Sequence, residues 1–179
     1  MHRLFVAVRP PECIRDQLLD LMEGVSNARW QDDDQLHLTL RFIGEVDGRI
    51  AEDVAAALAT VHQPAFEIAL SGVGSFGGNG RPHTLWAGVR PAEPLAHLHK
   101  KVDQALVRIG LEPDHRAYKP HITVARLNRS AGTIAAFLQQ HAGLSSAPFP
   151  VNDFALFESR LTQAGASYER LASYRLQKT

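Results

Sequence analysis

The sequence contains a single cysteine, Cys13, among 179 residues. No disulfide can therefore form within the chain, which excludes the small secreted folds that depend on several disulfides. An excess of either charge is also missing, since Lys plus Arg and Asp plus Glu both number 19. A neutral chain is not suited to coating long nucleic acid by counterion release, but a local basic pocket can still bind a nucleotide or a strand end.

Long apolar stretches are missing as well. The segment MHRLFVAVRPPE at residues 1–12 holds only a short apolar run before Arg9 and Pro10, too short for the apolar region of a signal peptide. No stretch approaches the ~18 apolar residues that a membrane span needs. A content of 45% apolar and 21% charged residues is ordinary for a globular protein. We therefore expect a single-domain, cytoplasmic monomer over residues 1–179 with no membrane partner.

Two segments of the sequence occur twice, in the same order. LFVAVRPPE at residues 4–12 resembles LWAGVRPAE at 85–93, with an offset of 81 residues. HLTLRFIG at 37–44 resembles HITVARLN at 121–128, with an offset of 84 residues. Two matches in one order indicate a duplicated unit of about eighty residues, in which the second copy has a short loop insertion.

Each copy alternates between strand-like and helix-like patterns. A short apolar run that ends in Arg-Pro opens each copy and predicts a strand, because proline is poorly tolerated inside a ladder. Helical periodicity follows, then the strand with His-x-Thr, then a second helix. We expect a first repeat over about 1–75, a second repeat over about 82–160 and a C-terminal hairpin over about 149–176.

The polar residues of the two motifs share faces of their strands. Side chains alternate between the faces of a strand, so His37, Thr39 and Arg41 fall on one face, as do His121 and Thr123 in the second copy. The opposite faces are apolar, as in an antiparallel sheet with one face on the core and one in water. If a pseudo-twofold axis relates the copies, the two polar faces meet across one cleft.

Two facing His-Thr sets suit acid–base chemistry at phosphorus. An unperturbed histidine has a pKa of ~6.5, so one imidazole can be neutral while the other is protonated near neutral pH. The neutral ring would activate a water or hydroxyl, and the protonated ring would donate to the leaving oxygen. The threonine hydroxyls would donate to non-bridging phosphate oxygens. Such a mechanism needs no metal and no cofactor.

With these motifs the chain resembles the 2H phosphoesterase superfamily, and within it the RNA 2',3'-cyclic phosphodiesterases historically called 2'-5' RNA ligases. The resemblance extends over nearly the whole chain and rests on LFVAVRPP, HLTLRFIGEV, LWAGV, PHITVAR and FALFESRLTQAGASYERLASYRL. It implies an α+β fold that is bilobal and duplicated, with two antiparallel β-sheets forming a central V-shaped cleft and helices on the outside. It also implies hydrolysis of 2',3'-cyclic phosphates on RNA 3' ends or nucleotides to 2'-phosphomonoesters, with related ATP-independent 2'-5' ligation.

The resemblance also implies roles for the motif residues. His37 would be the general acid toward the 3' leaving oxygen, and His121 would be the general base that activates water. Thr39 and Thr123 would hold the phosphate.

Two arginines are candidates for substrate binding. Arg126 ends the second motif, but strict alternation places it opposite His121, so it needs a bulge or twist at Ala125 to reach the cleft. Arg41 has the same parity as His37 and is predicted to bring positive charge into the cleft.

Two aromatic residues are further candidates, because aromatic faces suit unpaired nucleotides. Phe5 lies in the opening strand, and Tyr118 lies shortly before the second motif. Each is a candidate to stack a base of the substrate, and the open alternative for each is packing in the core.

Three other functions stay open at this point. A metal-dependent hydrolase would use His37 and His121 as ligands, but neither motif has a carboxylate and residues 32–34 are more simply a polar loop. A second possibility is a relative that acts on another small cyclic phosphate, such as ADP-ribose 1'',2''-cyclic phosphate. The third is a non-catalytic module that binds RNA ends.

Overall fold

The computed structural model describes residues 1–178. None of the helices in this part of the chain is both long enough and apolar enough to cross a membrane. The helices in chain order are α1 (Glu12–Asp20), α2 (Gly48–Leu58), α3 (Glu93–Arg108) and α4 (Ala135–Gln140), with a short 3₁₀ helix at Asp33–Gln35. The strands are β1 (His2–Val8), β2 (Arg29–Trp30), β3 (Leu38–Val46), β4 (Phe66–Gly78), β5 (Arg81–Arg90), β6 (His121–Arg126), β7 (Phe149–Val151), β8 (Asp153–Thr162) and β9 (Gly165–Arg175).

The strands form one antiparallel sheet in the order β7-β4-β5-β6-β3-β1-β8-β9, and β2 pairs with β6. The sheet has two halves of four strands, β7-β4-β5-β6 and β3-β1-β8-β9. These halves meet where β6 pairs with β3. The predicted α+β fold on antiparallel strands is confirmed, and the two predicted sheets are the halves of this one sheet.

Each half combines strands from both halves of the sequence. β1 pairs with β3, which follows it closely in the chain, and with β8 from residues 153–162. β5 pairs with β6 and also with β4, which precedes it. The predicted repeats over 1–75 and 82–160 therefore do not coincide with the halves of the sheet, because β4 and β8 are exchanged between them.

Helix α3 shows how the apolar pattern builds the core. Its first and last turns carry Glu93 and Arg108, which have favourable signs for the helix dipole. Spacings of three and four residues place one apolar stripe along the helix. Every member of this stripe is buried, namely Leu95, Leu98, Val102, Ala105 and Leu106. The helix thus covers the apolar face of the sheet and leaves the polar face free for the site.

A β-bulge in β3 reverses the alternation that the sequence suggests. Against β1, the register shifts between Arg41 and Thr39, so that Leu40 is an extra residue. Beyond a bulge the side chains change face. Arg41 is therefore buried on the helix side, and Phe42 faces the cleft instead.

Arg41 forms a buried ion pair on the helix side of the sheet. Its Nε donates to Oδ1 of Asp103 on α3 at 2.8 Å. The guanidinium also donates to the carbonyls of Phe42 and Glu112. The prediction that Arg41 brings charge into the cleft is wrong, because the bulge at Leu40 turns the side chain to the opposite face.

Tyr118 and His99 hold the same bulge through its main chain. The Tyr118 hydroxyl donates to the carbonyl of Thr39 at 3.0 Å, and Nδ1 of His99 donates to the carbonyl of Leu40 at 2.6 Å. The two rings stack with centroids 4.3 Å apart and 7° between their planes. Burial raises the pKa of Tyr118. The prediction that Tyr118 stacks a base is wrong, because its ring packs on the core side of the sheet.

Replacing Arg41 with methionine is expected to lower the free energy of unfolding by about 3 kcal/mol, because the half-buried Asp103 carboxylate loses its ion-pair partner. Urea denaturation followed by circular dichroism measures the change. The matched control is Arg49→Met on the exposed surface of α2, which is expected to change the free energy of unfolding by less than about 0.5 kcal/mol. Equally small changes in both variants would contradict a structural role for the Arg41–Asp103 pair.

Candidate active site

The two His-x-Thr strands meet at the centre of the sheet. Leu38 of β3 pairs with Ile122 of β6, and within residues 1–178 this is the one residue pair that joins the two strands. Both side chains point into the core, with exposed fractions of 1% and 0%. Because neighbouring residues on a strand point to opposite faces, the residues on either side of this pair point into the cleft.

The register of this pair brings the two His-x-Thr motifs together. Of the four predicted catalytic residues, His37, Thr39 and Thr123 line one cavity, and within residues 1–178 the lining of that cavity does not include His121. Since the pairing is antiparallel, His37 lies across from Thr123, and Thr39 lies across from His121. Each histidine is thus beside the threonine of the other motif as well as the threonine of its own. A small ligand at this point can contact both motifs at once.

A cavity of about 250 Å³ lies at this point. His37, Thr39 and Thr123 line it together with two arginines, Arg3 and Arg126. The other lining residues are Phe5, Gln31, Gln35, Phe42, Ser159, Leu161, Ala166 and Tyr168. No Asp or Glu of the described chain belongs to this lining, so the cavity is positively charged and suits an anion.

Arg126 reaches the cavity through a bulge of its own. The register of β6 against β5 shifts between Thr123 and Ala125, which leaves Val124 as an extra residue. The bulge reverses the alternation, and Arg126 lines the same cavity as Thr123. The bulge that the sequence required next to Ala125 is therefore present.

His37 lies among aromatic rings. Its imidazole makes edge-on contacts with Phe157, Tyr168 and Phe5, at centroid distances of 4.5, 5.5 and 6.0 Å. The side chain is only 7% exposed, and neither ring nitrogen has a hydrogen-bond partner within the described residues. A buried imidazole with both nitrogens unpaired is costly for stability, which is typical of functional sites.

Burial lowers the pKa of His37 to about 4. The main chain of Gln35 favours the protonated ring and so raises the pKa of His37, against the effect of burial. The positive charges of Arg9, Arg170 and Arg15 lower the pKa further. In the free protein at pH 7 the His37 imidazole is therefore neutral.

Phe5 faces the cleft, but its ring is not free to bind a base. It is 6% exposed and stacks on Phe157, with centroids 5.3 Å apart and 15° between the planes. Tyr168 contacts it edge-on at 5.0 Å. The prediction that Phe5 stacks a base is wrong, because the hairpin of β8 and β9 covers the ring, which packs instead against His37.

His121 has a defined tautomer. Its Nδ1 donates to the carbonyl of Lys119 at 2.6 Å, which leaves the lone pair on Nε2. The rings of Phe76 and Trp86 pack against it, at centroid distances of 4.8 and 6.1 Å. Burial lowers the pKa of His121, the Lys119 carbonyl opposes this effect, and the charge of Arg126 adds to it.

These environments allow one histidine to accept a proton and the other to donate one. Near pH 7 His121 is neutral, and its Nε2 is available as a base. A bound phosphate adds negative charge next to His37 and raises its pKa, so this ring can become a donor in the complex. Among residues 1–178, no three His, Cys, Asp or Glu side chains form a group that could hold a metal ion.

Sequence reasoning missed the aromatic surroundings of both histidines and one of the two arginines. Phe157 and Tyr168 belong to the C-terminal hairpin, and Phe76 belongs to the Gly-rich end of β4. Nothing local in these segments indicates that they reach the motifs. The sequence did indicate a position for Arg3. Arg3 and Phe5 are two residues apart on β1, so alternation places their side chains on the same face.

Comparison with known proteins agrees with this geometry. The family model for the 2'-5' RNA ligase superfamily matches residues 11–163. An RNA 2',3'-cyclic phosphodiesterase of Archaeoglobus fulgidus is 33% identical over 172 residues, which cover 94% of this chain and 97% of that protein. One from Escherichia coli is 28% identical over 179 residues, which cover 98% and 97% of the two chains.

Solved structures show the same fold. TT0787 of Thermus thermophilus superimposes with a TM-score of 0.83 at 26% identity, and E. coli LigT complexed with 3'-AMP with a TM-score of 0.77 at 25% identity. Both matches cover 98% of each chain. Fold and site together define a phosphoesterase of the two-histidine class. Within that class, the chain belongs to the 2'-5' RNA ligase superfamily.

Following the His37 imidazole by NMR is expected to give a titration midpoint near pH 4, because burial disfavours the charged ring. Addition of inorganic phosphate is expected to raise the midpoint. Since the folded-state pKa lies below that of the unfolded chain, stability is expected to fall as the pH drops from about 6.5 toward 4. His37→Asn identifies the resonance, and a midpoint near 6.5 without phosphate would contradict the effect of burial.

Proposed function

We propose that the protein hydrolyses 2',3'-cyclic phosphates at RNA 3' ends, or on nucleotides, to 2'-phosphomonoesters. The observation that carries this proposal is the register around Leu38 and Ile122, which joins the two His-x-Thr motifs beside a positively charged cavity lined by His37, Thr39 and Thr123. The names of the A. fulgidus and E. coli relatives support it.

In the proposed reaction His121 is the general base and His37 is the general acid. Nε2 of His121 takes a proton from water as the water oxygen bonds to phosphorus. The bond between phosphorus and O3' breaks, and His37 donates its proton to O3'. The Lys119 carbonyl favours His121 as the base, because it stabilises the positive ring that forms.

Thr39, Thr123 and Arg126 hold the phosphate in this proposal. The two hydroxyls donate to non-bridging oxygens, and the guanidinium balances the charge that builds up in the transition state. Their placement at one cavity supports these roles. The side chain of Arg126 is exposed and therefore accessible to an anion in the cavity.

The same site can join RNA if a 5'-hydroxyl takes the place of water. His121 then deprotonates that hydroxyl, O3' leaves as before, and the product is a 2'-5' phosphodiester. The energy of the cyclic phosphate drives the step, so ATP is not required. We further propose that the chain acts as a single domain, as a cytoplasmic monomer and without metal or cofactor. The exchange of β4 and β8 between the halves supports a single domain.

Turnover of an oligonucleotide that ends in a 2',3'-cyclic phosphate is expected to continue in excess EDTA and to yield the 2'-phosphate. Alanine at His37 or His121 is expected to lower kcat by about 10²–10⁴, because each removes a proton-transfer group. The matched control is His62→Ala at an exposed position. Product is mapped by chromatography against 2'- and 3'-phosphate standards.

Each contrary result of this assay has a distinct meaning. A 3'-phosphate product would overturn the assignment of acid and base. Loss of activity in EDTA would favour a metal-dependent hydrolase. Absence of any product would contradict the proposed function and favour either a binding module or an enzyme for a different cyclic phosphate. ADP-ribose 1'',2''-cyclic phosphate would then be the next substrate to assay.

The pH optimum of kcat/KM is expected below pH 6.5, because kcat/KM reports the free protein, in which burial lowers the pKa of both histidines. In the pH profile of kcat, the decrease on the alkaline side is expected at a higher pH than in the profile of kcat/KM, because the bound phosphate raises the pKa of the general acid His37. The apparent pKa values of both profiles describe the coupled pair of histidines rather than single residues. Identical midpoints for kcat and kcat/KM would contradict this effect of the substrate.

A further inference from the structure

The cleft continues past the histidines to a region that the proposed reaction does not use. We define this outer subsite as Arg3, Phe42, Ser159 and Leu161, which line the same cavity as His37. Phe42 and Leu161 are 39% and 83% exposed. Exposed apolar side chains grouped at one end of a cleft indicate a surface that contacts a ligand or partner.

Phe42 faces this region because of the bulge at Leu40. Unlike Phe5, its ring is not covered by the β8–β9 hairpin. It lies three residues from Thr39 along β3, a distance of about 10 Å on an extended strand. A ligand held by Thr39 through its phosphate therefore extends well beyond the phosphate before it reaches Phe42.

Arg3 supplies a positive charge next to Phe42. Its guanidinium carbon lies over one face of the Phe42 ring, 5.5 Å from the ring centre. Within residues 1–178, Glu158 pairs with His2 and Arg160, and Arg3 forms no ion pair with its cross-strand neighbour Glu45. The charge of Arg3 is thus available for an anion.

The outer subsite also opens toward further space. A neighbouring cavity of about 490 Å³ shares Arg3, Ser159 and Leu161 with it. A chain-like ligand can therefore pass from the histidines over Phe42 and out of the cleft. An aromatic face beside an available arginine is the combination by which proteins bind single-stranded nucleic acid.

We propose that the outer subsite binds the nucleotide that precedes the cyclic phosphate terminus. The base of this nucleotide stacks on the face of Phe42 opposite Arg3, and the phosphate that links it to the terminal nucleotide contacts Arg3. The cyclic phosphate occupies the 3' end, so the remainder of the strand has to leave the cleft from its 5' side. The inference rests on the proposed function and names oligoribonucleotides, rather than cyclic mononucleotides, as its preferred substrates.

The test compares kcat/KM on a dinucleotide that ends in a 2',3'-cyclic phosphate with kcat/KM on the matching cyclic mononucleotide. The protein is expected to prefer the dinucleotide by about tenfold, as base stacking on an aromatic ring suggests. Phe42→Ala and Arg3→Gln are each expected to reduce this preference by about fivefold or more. Phe42→Tyr keeps the aromatic face and is expected to retain it.

Two remote variants are the matched controls. Leu171→Ala removes an apolar side chain of similar exposure from β9, and Arg49→Gln removes an exposed charge from α2. Neither residue lines the cleft, and both variants are expected to keep the preference for the dinucleotide. Phe42→Leu keeps apolar bulk without an aromatic face, so it replaces Phe42→Ala if that variant does not fold.

The contrary outcomes separate the two proposals. Equal kcat/KM on both substrates would overturn the outer subsite while leaving the proposed function in place. An equal loss on both substrates in Phe42→Ala would also overturn it, because Phe42 would then contact the terminal nucleotide. No turnover of either substrate would overturn the proposed function, and the inference would fall with it.

Discussion

The geometry of the cleft depends on one residue pair, Leu38 with Ile122. This pair joins the halves of the sheet, and both side chains are held in the core by burial. A slip of one residue would turn these apolar side chains into the cleft and the polar ones into the core, which the hydrophobic effect opposes strongly. The positions of both His-Thr sets thus follow from the packing of the opposite face of the sheet, where no substrate binds.

The alternation of polar and apolar residues was sufficient to predict which side chains of the motifs share a face. It was not sufficient beyond the bulges, where Arg41 and Phe42 exchange the faces that strict alternation assigns to them. The bulge at Leu40 is held by Asp103 and Tyr118, which lie more than sixty residues further along the chain. These contacts form only in the folded structure, so the local sequence pattern around Leu40 does not indicate them.

The aromatic predictions failed for a related reason. The side of β1 on which Phe5 lies was evident from the sequence, but the neighbour that covers its ring was not. That neighbour, Phe157, is brought to β1 by the exchange of β8 between the halves of the sheet. Two similar segments in a sequence indicate equivalent positions, but they do not indicate which half each strand joins. The same exchange gives His37 a more enclosed environment than a simple lobe formed by the first repeat would provide.

The strand exchange also affects the order in which paired strands are synthesised during translation. Leu4 pairs with Glu158, so β1 is synthesised long before its partner β8 exists. Until then β1 has an open edge on one side, and such edges favour aggregation. The half of the sheet that carries His37 can be completed only after β8 and β9, at residues 153–175, have been translated. Contacts between residues so distant in sequence are typical of slowly folding proteins, so the edge of β1 is exposed for longer than that of a strand whose partner is its neighbour in the sequence.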